Sequence, residues 1–233
     1  MNHRVDPPRS QRLVHVLVGP ITLEGNLHVP ANARGSVLFA HGSGSSRHSP
    51  RNRFVAGVLQ QGGLATLLID LLTADEERID ARTAELRFDI GLLADRLAGA
   101  AEWLTQQPDT RDLRIGCFGA STGGGAALLT AAQHPNLVDA VVSRGGRPDL
   151  AGPALPRVKA PTLLIVGGND APVIRMNEQA LAQLRCVKRL KIVPGATHLF
   201  EEPGTLEQVA HIAREWFSHY LASGSQQRTV GNP

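Results

Sequence analysis

Gly119-Ala120-Ser121-Thr122-Gly123 sets a serine between two glycines, each two residues away. Residues 113–118 (LRIGCF) read as a strand and 122–133 as a helix, so the serine falls on a strand-to-helix turn, the setting of a nucleophile elbow. Glycines on both sides let the backbone turn sharply enough to push the serine clear of the sheet. The N–H groups that open the helix, Thr122 first, then face a developing anion. The competing reading is a serine that merely caps a helix in a glycine-rich turn.

A serine hydroxyl is a poor nucleophile until a positioned base takes its proton. Nine histidines compete for that role. His3 belongs to the terminus, His15 and His28 to an opening hairpin, and His134, His211 and His219 to helices away from strand ends. His198 alone follows a late strand and the turn Pro194-Gly195-Ala196-Thr197, which places it on a loop at a carboxyl end. The third member must be a carboxylate that fixes the imidazole tautomer. Asp170 closes Gly167-Gly168-Asn169-Asp170 directly after a predicted strand over 162–167; an ordinary Asx turn is the alternative. Asp149, Glu201 and Glu202 are weaker candidates, and Asp70 precedes the serine.

His41-Gly42-Ser43-Gly44-Ser45-Ser46 follows a short apolar run, 36–40, and suits an oxyanion-binding loop. Backbone N–H groups of Ser43 and Thr122 are the expected donors, with Gly44 as the alternative to Ser43. His41 reads as structural. A phosphate-binding reading of this loop lacks the following Lys-Ser/Thr and the spaced G-x-G-x-x-G. Arg47, His48, Arg51, Arg144 and Arg147 flank predicted strand ends, where a guanidinium suits an anionic group on a substrate. Arg144, immediately after a strand, is the best of them, and Gly44 and Arg144 are the candidate substrate contacts.

Strand and helix signals alternate along most of the chain. Residues 13–18 and 21–29 form a hairpin around Gly19-Pro20. Strands follow at 36–40, 64–69, 113–118, 138–143, 162–167 and 189–193, with helices at 53–61, 86–106, 122–133, 173–185 and 205–221. That pattern predicts an α/β fold, a mostly parallel twisted sheet of about eight strands with helices on both faces and a minimal cap. Active residues then belong on loops at the carboxyl ends of the strands. The charged connection 71–86 reads equally as a short helix, a flap or a plain surface loop. Residues 1–222 read as one domain and 223–233 as a disordered tail.

Bulk properties agree. The chain has 233 residues, 42% hydrophobic, with 24 glycines and 15 prolines, enough for one large folded domain with many tight turns. Its net charge of +3 comes from dispersed arginines, and no run of like charges suggests nucleic acid. Cys117 and Cys186 lack metal-site or disulfide-framework spacing. No leader-like or membrane-spanning apolar stretch is evident. The expectation is a cytoplasmic monomer or homodimer acting on a small-molecule ester, without membrane, nucleic acid, metal or cofactor.

The motifs HGSGSS, FGASTGGG, VGGND and PGATHLFEEPGTLE, across residues from about 36 to 222, resemble the α/β-hydrolase superfamily and, within it, the dienelactone hydrolase-related branch. The order Ser121, Asp170, His198 is that of α/β-hydrolases. The resemblance implies a serine nucleophile, its acid and its base at those three positions, and hydrolysis of a small carboxylic ester or lactone. Dienelactone hydrolases proper use cysteine where this chain has Ser121, which points away from dienelactone itself. Similar domains also occur joined to phosphoribosyltransferase domains, and no such partner is present in this sequence. A ligand-binding protein on the same fold, or a perhydrolase or acyltransferase using the same residues, remain the other readings.

Overall fold

The structure, a computed structural model, describes residues 11–222; the tail expected at 223–233 and His3 lie outside them. The chain opens with the antiparallel pair β1 (Arg12–Val18) and β2 (Ile21–His28). It continues through β3 (Ser36–Ala40), α1 (Pro50–Gln61), β4 (Ala65–Ile69), α2 (Ala74–Thr83), α3 (Ile90–Gln106) and β5 (Ile115–Ala120). Then come α4 (Thr122–Gln133), β6 (Ala140–Arg144), β7 (Thr162–Gly167), α5 (Ala171–Gln183), β8 (Lys188–Val193) and α6 (Thr205–Leu221). The eight strands form one sheet in the order β1-β2-β4-β3-β5-β6-β7-β8. β2 pairs antiparallel with β4, and every pairing from β4 to β8 is parallel.

The central strands are apolar throughout because both faces are covered. Successive side chains point to opposite faces, so β3 sends Val37 and Phe39 into one core and Leu38 and Ala40 into the other. The first core packs beneath α1 and α6 through Val55, Leu59, Val209 and Phe217, with Phe39 and Phe118 in contact at 4.9 Å between ring centroids. The second receives Leu93 and Leu97 of α3 and Ala127 and Leu128 of α4. β3 and β5 are neighbours whose following helices cover opposite faces, so a crevice opens between their carboxyl ends. No helix among the described residues is long and apolar enough to cross a membrane.

Local capping chemistry sets three helix starts that hydrophobic periodicity placed differently or left open. α1 begins three residues early, because the Ser49 side chain accepts the Asn52 N–H and Pro50 occupies the first turn, where its missing N–H costs nothing. The single helix expected over 86–106 is instead a 3-10 turn, Leu86–Phe88, followed by α3 with Asp89 as its N-cap. The open connection before it is a helix, α2, started by a reciprocal capping box between Thr73 and Glu76. Between β6 and β7 an unexpected 3-10 winding, Pro148–Arg157, contains Pro153 and Pro156, which forbid a regular α-helix.

Asp80 joins α2 to the 3-10 turn. Its carboxylate accepts the Arg87 backbone N–H at 3.0 Å and Arg87 Nε at 2.5 Å while being 2% exposed. Burial pushes the Asp80 carboxyl up, but the Arg87 N–H, guanidinium and charge outweigh it and hold the group below its usual range. A carboxyl lowered on folding contributes stability above its unfolded pKa and loses it as the pH falls through the folded value. Amide protection over residues 74–88 should therefore fall below about pH 4 before that of β5. In Asp80→Asn, hydrogen exchange should already be fast there at neutral pH and show no such acid step.

Candidate active site

Ser121 sits between β5 and α4 with φ 51° and ψ −120°, a conformation non-glycine residues avoid. The sequence permits it through the two flanking glycines. A Cβ at Gly119 would lie 2.3 Å from the Gly123 carbonyl oxygen, and one at Gly123 would lie 2.4 Å from that of Ala40. The elbow is also tied to the loop after β6. The Ser121 N–H donates to the Arg144 carbonyl at 3.2 Å, and its carbonyl accepts from the N–H of Arg147 and of Gly124, both at 3.0 Å. Asn177, fully buried on α5, donates to the Gly146 carbonyl at 3.1 Å and so braces that loop.

Asp170 and His198 meet as their strand-end positions require. Asp170 Oδ2 lies 2.7 Å from His198 Nδ1, with the carboxylate side chain 12% exposed and the imidazole 40% exposed. The two carrier loops bond each other: the Gly168 N–H donates to Val193, the Asn169 N–H to Ala196, and Asn169 Nδ2 to the Gly195 carbonyl. The bond at Nδ1 leaves His198 Nε2 as the free ring nitrogen. Ser121 and His198 both line a cavity of about 270 Å³, together with Gly42, Ser43, Ser45, Ser49, Arg51 and Arg144. A larger cleft of about 470 Å³ between β8 and α6, lined by Trp216 and Tyr220, contains no serine or cysteine.

The donor loop shows one feature sequence did not anticipate. The Ser43 N–H points at the elbow but donates to Thr122 Oγ1 at 2.9 Å. To serve an oxyanion it must share or exchange that partner. The Thr122 N–H, in the first turn of α4, makes no hydrogen bond to protein among the described residues. Gly44 lies outside the cavity lining, in a left-handed turn with φ +69° beside Arg87. His41 is structural: its Nε2 accepts the Leu71 N–H at 3.2 Å and its Nδ1 faces the Gly42 carbonyl at 3.0 Å.

The flanking cations separate into paired and unpaired groups. Arg47 is bound to Asp70 and Glu24, Arg147 to Asp149, and Arg51 to Glu201, while His48 is exposed. Arg144 is 7% exposed, has no carboxylate partner among the described residues, and stacks its guanidinium 5.8 Å from the Phe200 ring centroid. Ser45, Ser49 and Asn52 also line the cavity and were missed from sequence. The Ser49-Pro50 pair, a cap followed by proline, was the signal that could have placed α1 against the site.

Comparison with known proteins agrees with this architecture. The family model described as the dienelactone hydrolase family matches residues 54–221. A crystal structure of dienelactone hydrolase from Anabaena variabilis is 68% identical, covers 92% of this chain and 100% of its own, and superposes with a TM-score of 0.91. Est1E from Butyrivibrio proteoclasticus shares the fold, with a TM-score of 0.76 at 15% identity over 91% of this chain and 99% of its own. A provisionally named phosphoribosyl transferase of Mycobacterium tuberculosis is 58% identical over 216 residues, 93% of this chain but 48% of that protein. This chain thus spans about half the length of the first curated relatives it matches. With the family model covering most of its length, the chain belongs to the dienelactone hydrolase family and has the α/β-hydrolase fold.

Proposed function

We propose that this protein hydrolyses a small carboxylic ester or lactone through an acyl-enzyme on Ser121. The observation that carries the reading is the 2.7 Å Asp170–His198 contact beside a strained Ser121 that shares the His198 cavity. His198 Nε2 takes the Ser121 proton as Oγ attacks the carbonyl carbon, and Asp170 holds the tautomer and stabilises the imidazolium. The oxyanion forms against the Thr122 N–H and the Ser43 N–H, the latter released by rotation of the Thr122 side chain about χ1. His198 then protonates the leaving alcohol, and water, activated by the same base, returns the serine and releases the acid.

A cavity of about 270 Å³ favours short acyl and alcohol groups. The two free thiols, Cys117 and Cys186, suit a reducing cytoplasm, where we place the protein as a monomer or homodimer.

Labelling with a fluorophosphonate and turnover of p-nitrophenyl esters of increasing chain length test the reading. Ser121→Ala should abolish labelling and lower kcat by roughly 10⁶-fold; a variant that still turns over normally would refute the nucleophile. Asp170→Asn should leave the fold intact by circular dichroism but cost about 10⁴-fold in kcat, because the imidazole is held in the wrong tautomer.

A further inference from the structure

The cavity beside Ser121 is unevenly charged. Arg144 is buried with its Nε unbonded and no carboxylate partner among the described residues. A second guanidinium, Arg51, lines the same cavity; its Nη1 meets Glu201 at 3.0 Å, and its Nε is likewise buried and unbonded. Burial first, and the Arg51 charge second, push the Arg144 guanidinium down to about 10. Burying a cation without a counter-charge is costly, so a lasting arrangement of this kind points to a ligand that supplies one.

α1 begins at the same wall. Pro50 has no N–H and the Asn52 N–H is taken by Ser49 Oγ, so the Arg51 amide is the first free N–H of a twelve-residue helix. The Ser45 and Ser49 hydroxyls line the same cavity. Arg144, Arg51, the start of α1, Ser45 and Ser49 thus share the cavity that Ser121 lines.

We propose that the ester hydrolysed at Ser121 carries a phosphate monoester group, itself left uncleaved, that seats between Arg144, Arg51 and the N-terminus of α1. The proposal rests on the hydrolase reading above and names its substrate class. Charge selects phosphate over carboxylate. Arg144 contributes one unit, the helix end roughly half a unit, and Arg51 is largely offset by Glu201. The sum of about 1.5 matches a phosphate monoester, about −1.5 to −2 at neutral pH, and exceeds what one carboxylate neutralises. The guanidinium, amide and hydroxyl donors also suit the three terminal oxygens of a phosphate monoester. No bond to phosphorus changes: water cleaves the carboxylic ester, and the phosphate serves as a handle.

The test separates binding from turnover. Thermal unfolding of the Ser121→Ala protein is followed with inorganic phosphate, acetate or potassium chloride at equal ionic strength. Phosphate should raise Tm where acetate and chloride do not. Adding Arg144→Gln, or separately Arg51→Gln, should weaken phosphate at least 10-fold, whereas the exposed charge control Arg111→Gln should not. In the wild-type protein, an acetyl ester of glycerol phosphate should exceed the acetyl ester of glycerol at least 10-fold in kcat/KM. Acetate binding as tightly as phosphate, phosphate binding unchanged in both arginine variants, or equal turnover of the two esters would overturn the proposal. If Arg144→Gln does not fold, Arg51→Gln and the phosphate–acetate comparison decide. Arginine-dependent phosphate binding by a wild-type protein that takes no fluorophosphonate and cleaves none of the esters would uphold the anion site and reject the hydrolase reading instead.

Discussion

A serine backbone at φ 51° and ψ −120° costs roughly 1–3 kcal/mol, and most of the surrounding structure serves to hold it there. Strand β5 enters from the middle of the sheet between β3 and β6, so the turn cannot relax sideways. The Arg144 carbonyl and the Arg147 and Gly124 amides fix both sides of the Ser121 peptide unit. Asn177, from α5, secures the loop that supplies two of those bonds. The hydroxyl is thereby presented at the crevice by tertiary bonds, since the serine side chain caps nothing in α4.

The same loop has a second role. Its backbone pins Ser121, while its Arg144 side chain brings positive charge into the cavity beside it. Most other arginines near the strand ends are spent on structure: Arg47 joins Glu24 of β2 to Asp70 after β4, and Arg87 fastens the 3-10 turn to α2. This division explains how a chain rich in dispersed arginine can still focus charge. A cation matters to a ligand only where no carboxylate has already neutralised it.

The Asp170–His198 pair is built differently from the Ser121 turn. Asp170 and His198 stand on adjacent loops after β7 and β8, and those loops bond each other through Gly168, Asn169 and Ala196. A parallel sheet puts these carboxyl ends on one side, which is why residues 77 positions apart in sequence, Ser121 and His198, line one cavity. The Mycobacterium tuberculosis relatives, about twice as long, contain a region similar to this whole unit.

Much of this was legible in the residues. Alternating apolar runs and helical segments gave the strand order in sequence, and the glycines around Ser121 marked the elbow because the close approach of Ala40 and Gly123 leaves no room for a Cβ. Helix ends were less legible: Ser49-Pro50, Thr73 with Glu76, and Asp89 set them by hydrogen bonds that hydrophobic periodicity does not register.

The sequence by itself determined which residue types stand at the strand ends and in what order, because local periodicity and turn chemistry reside in neighbouring residues. Only the tertiary structure decided that the Ser43 amide is engaged by Thr122, and that Arg144 alone among the flanking arginines is buried without a carboxylate. Those outcomes depend on which side chains meet across the sheet, and pairing between residues distant in the chain leaves no periodic trace in the sequence.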